Sequence, residues 1–309
     1  MSVRKLHVFT LTFFFAGALM ITGCGGPSAE EGNQEEAQTE EQAQEVSFAD
    51  LEGAAVSQRK EAIKKIFYTI PAPMEMASLI QSSGASFDGD LLNDVGSVES
   101  YMTRRQQALN LGMYGADLSY TSMFERSKES LFYLSAVKQL ADELGAPSII
   151  SDDLIGRVET NKENKDSLLN IVSDTFWSFN AKFKEDGMED ISALIISGGW
   201  IEALHLAISH VDNNEALRQR IAEQKYSLDD LIKLIGTYEN QENLAEVKQD
   251  LENLQQVFAE IEINKAKTET SADENGTMVI GGANTITMSD ETLAKVTEAV
   301  AEVRTKYIQ

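Results

Sequence analysis

Between residues 191 and 211 the chain is apolar on nearly every side of a helix, with Glu202 and His205 at its middle and Gly198 and Gly199 beside them. A helix with no polar face either spans a membrane or lies at the centre of a packed protein. We expect this one at the centre of a bundle, so other helices must surround it. The rest of the chain supplies them. Apolar residues recur mostly at three- and four-residue spacing, the signature of amphipathic helices, and the only prolines are Pro27, Pro71, Pro73 and Pro147. The predicted fold class is all-α: a multi-helix bundle of stacked antiparallel helical hairpins, with one small β-hairpin near the C-terminus.

The pattern places a first helix over 48–68, opened by a capping-box-like Ser47-Phe-Ala-Asp50. Pro71-Ala-Pro73 ends it and starts a short helix through 81. A Gly/Ser/Asp loop follows over 82–94. Further helices are predicted over 98–111, 116–144, 152–161, 165–185, 189–211, 214–223, 228–238 and 244–267, with a last one from the cap Ser289 to about 307. Gly112, Gly145 and Gly187 read as stops, because glycine accepts the left-handed conformation after a helix. Ser227-Leu-Asp-Asp230 reads as another capping box. Thr277-Met-Val-Ile280 and Thr285-Ile-Thr-Met288 flank Gly281-Gly-Ala-Asn284, which predicts a hairpin over 277–288, entered through a turn at Asp273-Glu-Asn-Gly276. A lone hairpin is marginal in water, so it should pack on the helices.

Two stretches echo each other at an offset of 86 residues: Gly112-Met-Tyr114-Gly-Ala-Asp-Leu118 and Gly198-Gly-Trp200-Ile-Glu-Ala-Leu204. Small and aromatic positions of this kind resemble tetratricopeptide packing, yet no period near 34 residues runs along the chain. The expectation is a solenoid-like bundle of helical hairpins instead.

The N-terminus carries Arg4 and Lys5 and then an apolar run over 6–21. That run is short of the ~20 apolar residues of a transmembrane helix, and it reads as a secretory signal. Ile21-Thr22-Gly23-Cys24 looks like a lipobox, which makes 1–23 a lipoprotein signal peptide and Cys24 the lipidated residue. Cys24 is the sole cysteine, so no disulfide, thiol nucleophile or thiolate metal site follows from the sequence. Residues 24–46 read as a tether that cannot bury enough apolar surface to order itself. Its seven carboxylates have no compensating base. The expected partner is therefore a membrane, held through lipid on Cys24. The expected location is the cell envelope, most simply the outer membrane, on its periplasmic or surface face.

Setting aside Arg4 and Lys5 takes the formal charge from −24 to −26; the tether accounts for −7, leaving −19 on the domain 47–309. A body this acidic lacks the basic patches that nucleic acid and anionic lipid surfaces require.

Chemistry is sparse. No His-Glu-x-x-His, phosphate-binding Gly-Lys-Ser/Thr loop or Gly-x-Ser-x-Gly is present, and no cofactor is expected. Asp88-Gly-Asp90 with Asp94 lacks the ligand positions of a calcium loop and reads as loop acids and helix caps. Glu202-Ala-Leu-His205 is a single Glu-x-x-His pair where di-iron bundles use two, so no metal is expected. If the echo is pseudo-symmetric, Tyr114, Asp117, Tyr120, Trp200, Glu202 and His205 are candidates to line one cleft for a small ligand. A desolvated carboxylate there would have a raised pKa. The competing and simpler expectation is hydrogen bonding inside the bundle.

Tyr68-Thr-Ile-Pro-Ala-Pro73, Ala108-Leu-Asn-Leu-Gly-Met-Tyr-Gly-Ala-Asp-Leu-Ser-Tyr120, Gly198-Gly-Trp-Ile-Glu202 and Thr287-Met-Ser-Asp-Glu-Thr-Leu293 resemble a family of Bacteroidota cell-envelope lipoproteins. The resemblance covers most of the body. It implies an all-helical envelope protein and carries no assigned activity, hence no catalytic residue. The function expected is a non-catalytic helical scaffold or binding module for a protein or small ligand. Its alternative is an envelope enzyme or small-ligand receptor around Glu202 and His205.

Overall fold

The computed structural model describes residue 70 and residues 73–309, except 162–163, 213, 239–241, 265–268, 273–277 and 282–284. The chain divides into two units at Val46–Ser47, and all the described residues belong to the second. The expected signal peptide, Cys24, the expected tether, the helix expected over 48–68 and Pro71 lie outside them, as do the turn expected over 273–276 and residues 282–284 of the one expected over 281–284.

The domain is an all-α bundle carrying a small antiparallel β-ribbon. Its helices are α1 (Pro73–Ser82), α2 (Arg104–Met123), α3 (Ser127–Glu143), α4 (Asp152–Thr160), α5 (Lys165–Glu185), α6 (Glu189–Ser209), α7 (Glu215–Gly236), α8 (Glu242–Phe258) and α9 (Asp290–Tyr307). Helix α6, the apolar segment of 191–211, is long and apolar enough to cross a membrane by composition, but 89% of its most apolar window is buried inside the protein. Its closest neighbour is α2, in which every residue from Ala108 to Met123 is buried. These two helices form the centre, and α1, α3, α5, α7, α8 and α9 pack around them.

The crossing of α2 and α6 corrects one expectation. Gly112 ends no helix; it lies within α2, and a Cβ there would collide with the Ile195 carbonyl. A Cβ on Gly198 would likewise collide with the Leu109 carbonyl. Each glycine therefore faces the carbonyl three residues before the other, and the 86-residue echo is the sequence trace of two backbones in contact. The chain breaks later, at Glu125 (φ 59°), where the Arg126 N–H reaches the Thr121 carbonyl at 2.9 Å. Helix α2 itself starts at a Thr103–Gln106 capping box, well after Val98, which lies in a 3₁₀ segment. Gly145 and Gly187, by contrast, do follow helices with φ of 90° and 70°.

Two further boundaries differ. Helix α7 runs unbroken through Ser227, because Leu228, Leu231, Leu234 and Ile235 continue the buried stripe of Leu217 and Ile221. Helix α8 ends at Phe258, and Ile261 (buried), Glu262 (exposed) and Ile263 (half-buried) switch to a two-residue period. That switch opens β1 (Glu262–Asn264), followed by β2 (Glu269–Ala272), β3 (Met278–Gly281) and β4 (Thr285–Thr287).

Strands form at both places the hairpin needed, but they do not pair with each other. β3 pairs with β2 in the register Ala272↔Met278, and β4 pairs with β1 in the register Glu262↔Thr287. The hairpin is therefore β2–β3, with its pairing closing at Ala272↔Met278. Ile286 and Met288 are buried, tying the β1–β4 pair to the core. Ser289 then caps α9 by accepting from the Thr292 N–H at 3.0 Å.

Candidate functional site

The α2–α6 crossing brings Asp117 and Glu202 into one fully buried cluster. Both carboxyls sit one turn past the glycines, where the helices are still close. Their cation comes from α9. Arg304 donates from Nε to Glu202 Oε2 at 2.7 Å and from Nη2 to Glu202 Oε1 at 2.9 Å. The same Nη2 reaches Asn93 Oδ1 at 2.9 Å and the Leu91 carbonyl at 3.1 Å. Asn93 completes the circuit: its backbone N–H and Nδ2 donate to Asp117 Oδ2 at 3.2 and 3.1 Å. The Asn93 carbonyl accepts from the Tyr133 hydroxyl at 2.8 Å.

One atom stands apart. Asp117 Oδ1 is buried and accepts no hydrogen bond. Burial, followed by the adjacent Glu202 charge, pushes the Asp117 carboxyl well above the usual carboxylate range. Two carboxyls and one guanidinium share a site without water-exposed surface on either acid, so charge balance favours one retained proton. A proton on Asp117 lets it donate to Glu202, whose charge then matches Arg304. Burial also raises the nearby Tyr101, Tyr114 and Tyr133 hydroxyls, keeping them neutral.

The other residues expected in a common cleft go elsewhere. Tyr114 donates to the Asp94 carbonyl at 2.8 Å and packs between Tyr101 and Tyr133, so it borders the cluster without joining its ion pair. Trp200 donates from Nε1 to Gln224 on α7 at 3.1 Å and packs on Phe258 of α8. Tyr120 accepts from the Asp88 N–H at 3.0 Å and lies 2.8 Å from His210 Nε2. A hydroxyl can donate as well as accept, so this contact serves either imidazole tautomer. His205 lies within the electrostatic reach of Glu202 and Arg304, but burial dominates and lowers its pKa. Glu202 and His205 thus form no paired acid–base unit; Arg304 takes both Glu202 oxygens.

Sequence reasoning missed Arg304, Asn93 and Gln224. Arg304 left a trace: it follows the stripe Val296, Val300, Val303 and Tyr307 four residues after Val300, a cation beside an apolar seam. Asn93, in a loop, left none. Asp88 and Asp94 act as the loop caps expected, accepting from the Asp90 and Gly96 N–H groups at 3.0 and 2.9 Å.

Surface clefts lie away from this cluster. One of about 540 Å³ runs between α1 and α7 and is lined by Glu75, Ser78, Leu79, Ala216, Gln219 and Arg220, among others. A smaller one beside Ser130, Leu131 and Val158 holds about 60 Å³. None of the six candidate residues lines either. Among the described residues, no three His, Cys, Asp or Glu side chains gather where a metal ion could be held. Comparison of the chain with family models, curated proteins and solved structures finds no match.

Proposed function

We propose that the chain is a non-catalytic helical scaffold or binding module of the cell envelope, anchored by lipid on Cys24. The outer membrane, on its periplasmic or surface face, is the location proposed. The anchor rests on the lipobox Ile21-Thr22-Gly23-Cys24 and on Cys24 being the sole cysteine. The resemblance to Bacteroidota envelope lipoproteins supports the same placement. The observation that carries the non-catalytic reading is the bidentate grip of Arg304 on Glu202. A fully buried carboxylate with both oxygens committed to one guanidinium is neither a free base nor a ligand for substrate. The alternative, an enzyme or small-ligand receptor around Glu202 and His205, draws on a single observation, the Asp117 Oδ1 that accepts no hydrogen bond.

Two measurements test this. Cells fed labelled fatty acid should label the parent chain and leave Cys24→Ser unlabelled and released from the membrane fraction. Equal labelling of both would remove the anchor. In-envelope crosslinking of the parent beside a Glu202→Leu/Arg304→Met version should recover the same partners from both. A partner or small ligand lost from a folded double variant would put the buried site in charge and overturn the scaffold reading.

A further inference from the structure

Helices α1 and α7 leave a groove of about 540 Å³ between them. Its α1 wall is Glu75, Ser78, Leu79 and Ser82, and α7 supplies residues at the same spacing from Ala216 to Glu223. Steps of three, four and seven residues keep to one face of a helix, so the groove is a trough with a helix face for each wall. Asn214, the cap of α7, donates to the Ser83 carbonyl at 3.3 Å, which starts α7 where α1 ends. Ser82 and Ala216 therefore mark one end of the trough, and Glu75 and Glu223 the other. The small side chains of Ser78, Ser82 and Ala216 allow a third helix to approach closely, since interaxial distance is set by the residues at the contact.

We propose that this groove is the docking site of the chain's own segment 48–68, seated as a helix antiparallel to α1. Only residues 69–72 separate that segment from Pro73, and a connection this short makes antiparallel neighbours of consecutive helices. The division of the chain at Val46–Ser47 groups the segment with the body. Folding back about the middle of 69–72 sets Ile66 opposite Glu75, Ile63 opposite Ser78, Ala62 opposite Leu79 and Arg59 opposite Ser82. Ala62, Ile63 and Ile66 form an apolar stripe at helical spacing, matched to the small residues of the trough. Charge agrees with this register. Arg59, Lys60, Lys64 and Lys65 are the only lysines and arginines between Leu6 and Thr103, and the register brings Lys64 and Lys65 to the Glu75–Glu223 end. Glu223 is shared with Arg220, whereas Glu75 is exposed and is the nearer acid along the chain.

Disulfide trapping in the full-length protein tests this. Cys24→Ser leaves the introduced cysteines as the only thiols and makes the outcome independent of the lipid anchor. Ile63→Cys with Gln219→Cys places a pair across the trough. Ser57→Cys with Gln219→Cys is the comparison, because Ser57 falls on the opposite side of the expected helix. Within one chain the first pair should close at least about tenfold faster than the second, since a disulfide requires Cα atoms within about 7 Å. Trypsin gives a readout that needs no crosslink. Gln219→Trp, at an exposed position midway along α7's wall, fills the trough and should speed cleavage after Lys64 at least about tenfold while the body stays intact. Equal closure of the two pairs would overturn the proposal. So would crosslinks that form only between chains, which would give the groove to a second copy, or cleavage after Lys64 equally fast in parent and Gln219→Trp.

Discussion

Gly112 and Gly198 show how much one hydrogen in place of a methyl can decide. A side chain at either position must displace backbone, not a movable side chain, and packed backbones yield only by separating the helices. Gly112→Ala or Gly198→Ala should therefore cost about 3 kcal/mol or more in chemical denaturation. Gly156, inside α4 with open space around its Cβ direction, is the contrast: Gly156→Ala should gain up to about 1 kcal/mol from helix propensity. Asp117 gives a second residue-scale expectation. Its folded pKa is raised by burial, so below the ordinary Asp range both folded and unfolded chains hold the proton and nothing is lost. As pH rises, the unfolded chain releases it first, and stability falls until the folded carboxyl ionises too. Asp117→Asn removes that loss. Its stabilising effect should grow between pH 4 and pH 7, with a limiting slope of about 1.4 kcal/mol per pH unit. A constant difference between the two proteins across that range would contradict a buried, protonated Asp117.

Helix ends were readable wherever a cap and the end of an apolar stripe coincide. At Ser289 both signals agree, and the hydroxyl caps Thr292. At Ser227 the Ser-x-x-Asp pattern stands alone, the stripe runs on, and α7 continues. Ser289→Ala should then cost about 1 kcal/mol of thermal or denaturant stability. Ser227→Ala, which removes no cap, should be near neutral. The ribbon teaches a related lesson about pairing. β3 and β4 could be seen in sequence as β-prone runs, whereas β1 fell inside the helix expected over 244–267 and β2 in no expected element, and the pairing runs across 273–277 instead of across 281–284. Strand propensity says that a segment can pair, while the choice of partner depends on turn chemistry and on what the paired faces then cover.

For the molecule as a whole, the two described histidines set the expected response to mild acid. Burial lowers the pKa of both His205 and His210. Above the unfolded value of about 6.5 each is neutral in both states, and their contribution is fully present. As pH falls below that, the unfolded chain takes up protons that the folded protein refuses, so stability drops until each folded pKa is passed. Asp117 acts in the opposite sense over this range but is common to both proteins, so in a denaturation series from pH 7.5 to 5 the parent should lose stability relative to a His205→Gln/His210→Gln version. Equal slopes would mean that neither imidazole is held neutral by the fold.

Near-absence of proline and the three-to-four spacing of apolar residues sufficed to make this a helical protein, because helix periodicity is a local property that each segment writes for itself. The all-round apolar face of 191–211 likewise required a central helix, since an unshielded one would expose apolar surface on every side. The site is different in kind. Glu202 and Asp117 were visible as polar groups on apolar helices, but the sequence held no record of which group would neutralise them. That choice fell to Arg304, a hundred residues from Glu202, and to Asn93 in a loop without a pattern. A buried charge finds its partner through the packing of whole helices, and only the tertiary structure, by setting α9 against the α2–α6 crossing, decided that the pair would be a structural clamp instead of an open cleft.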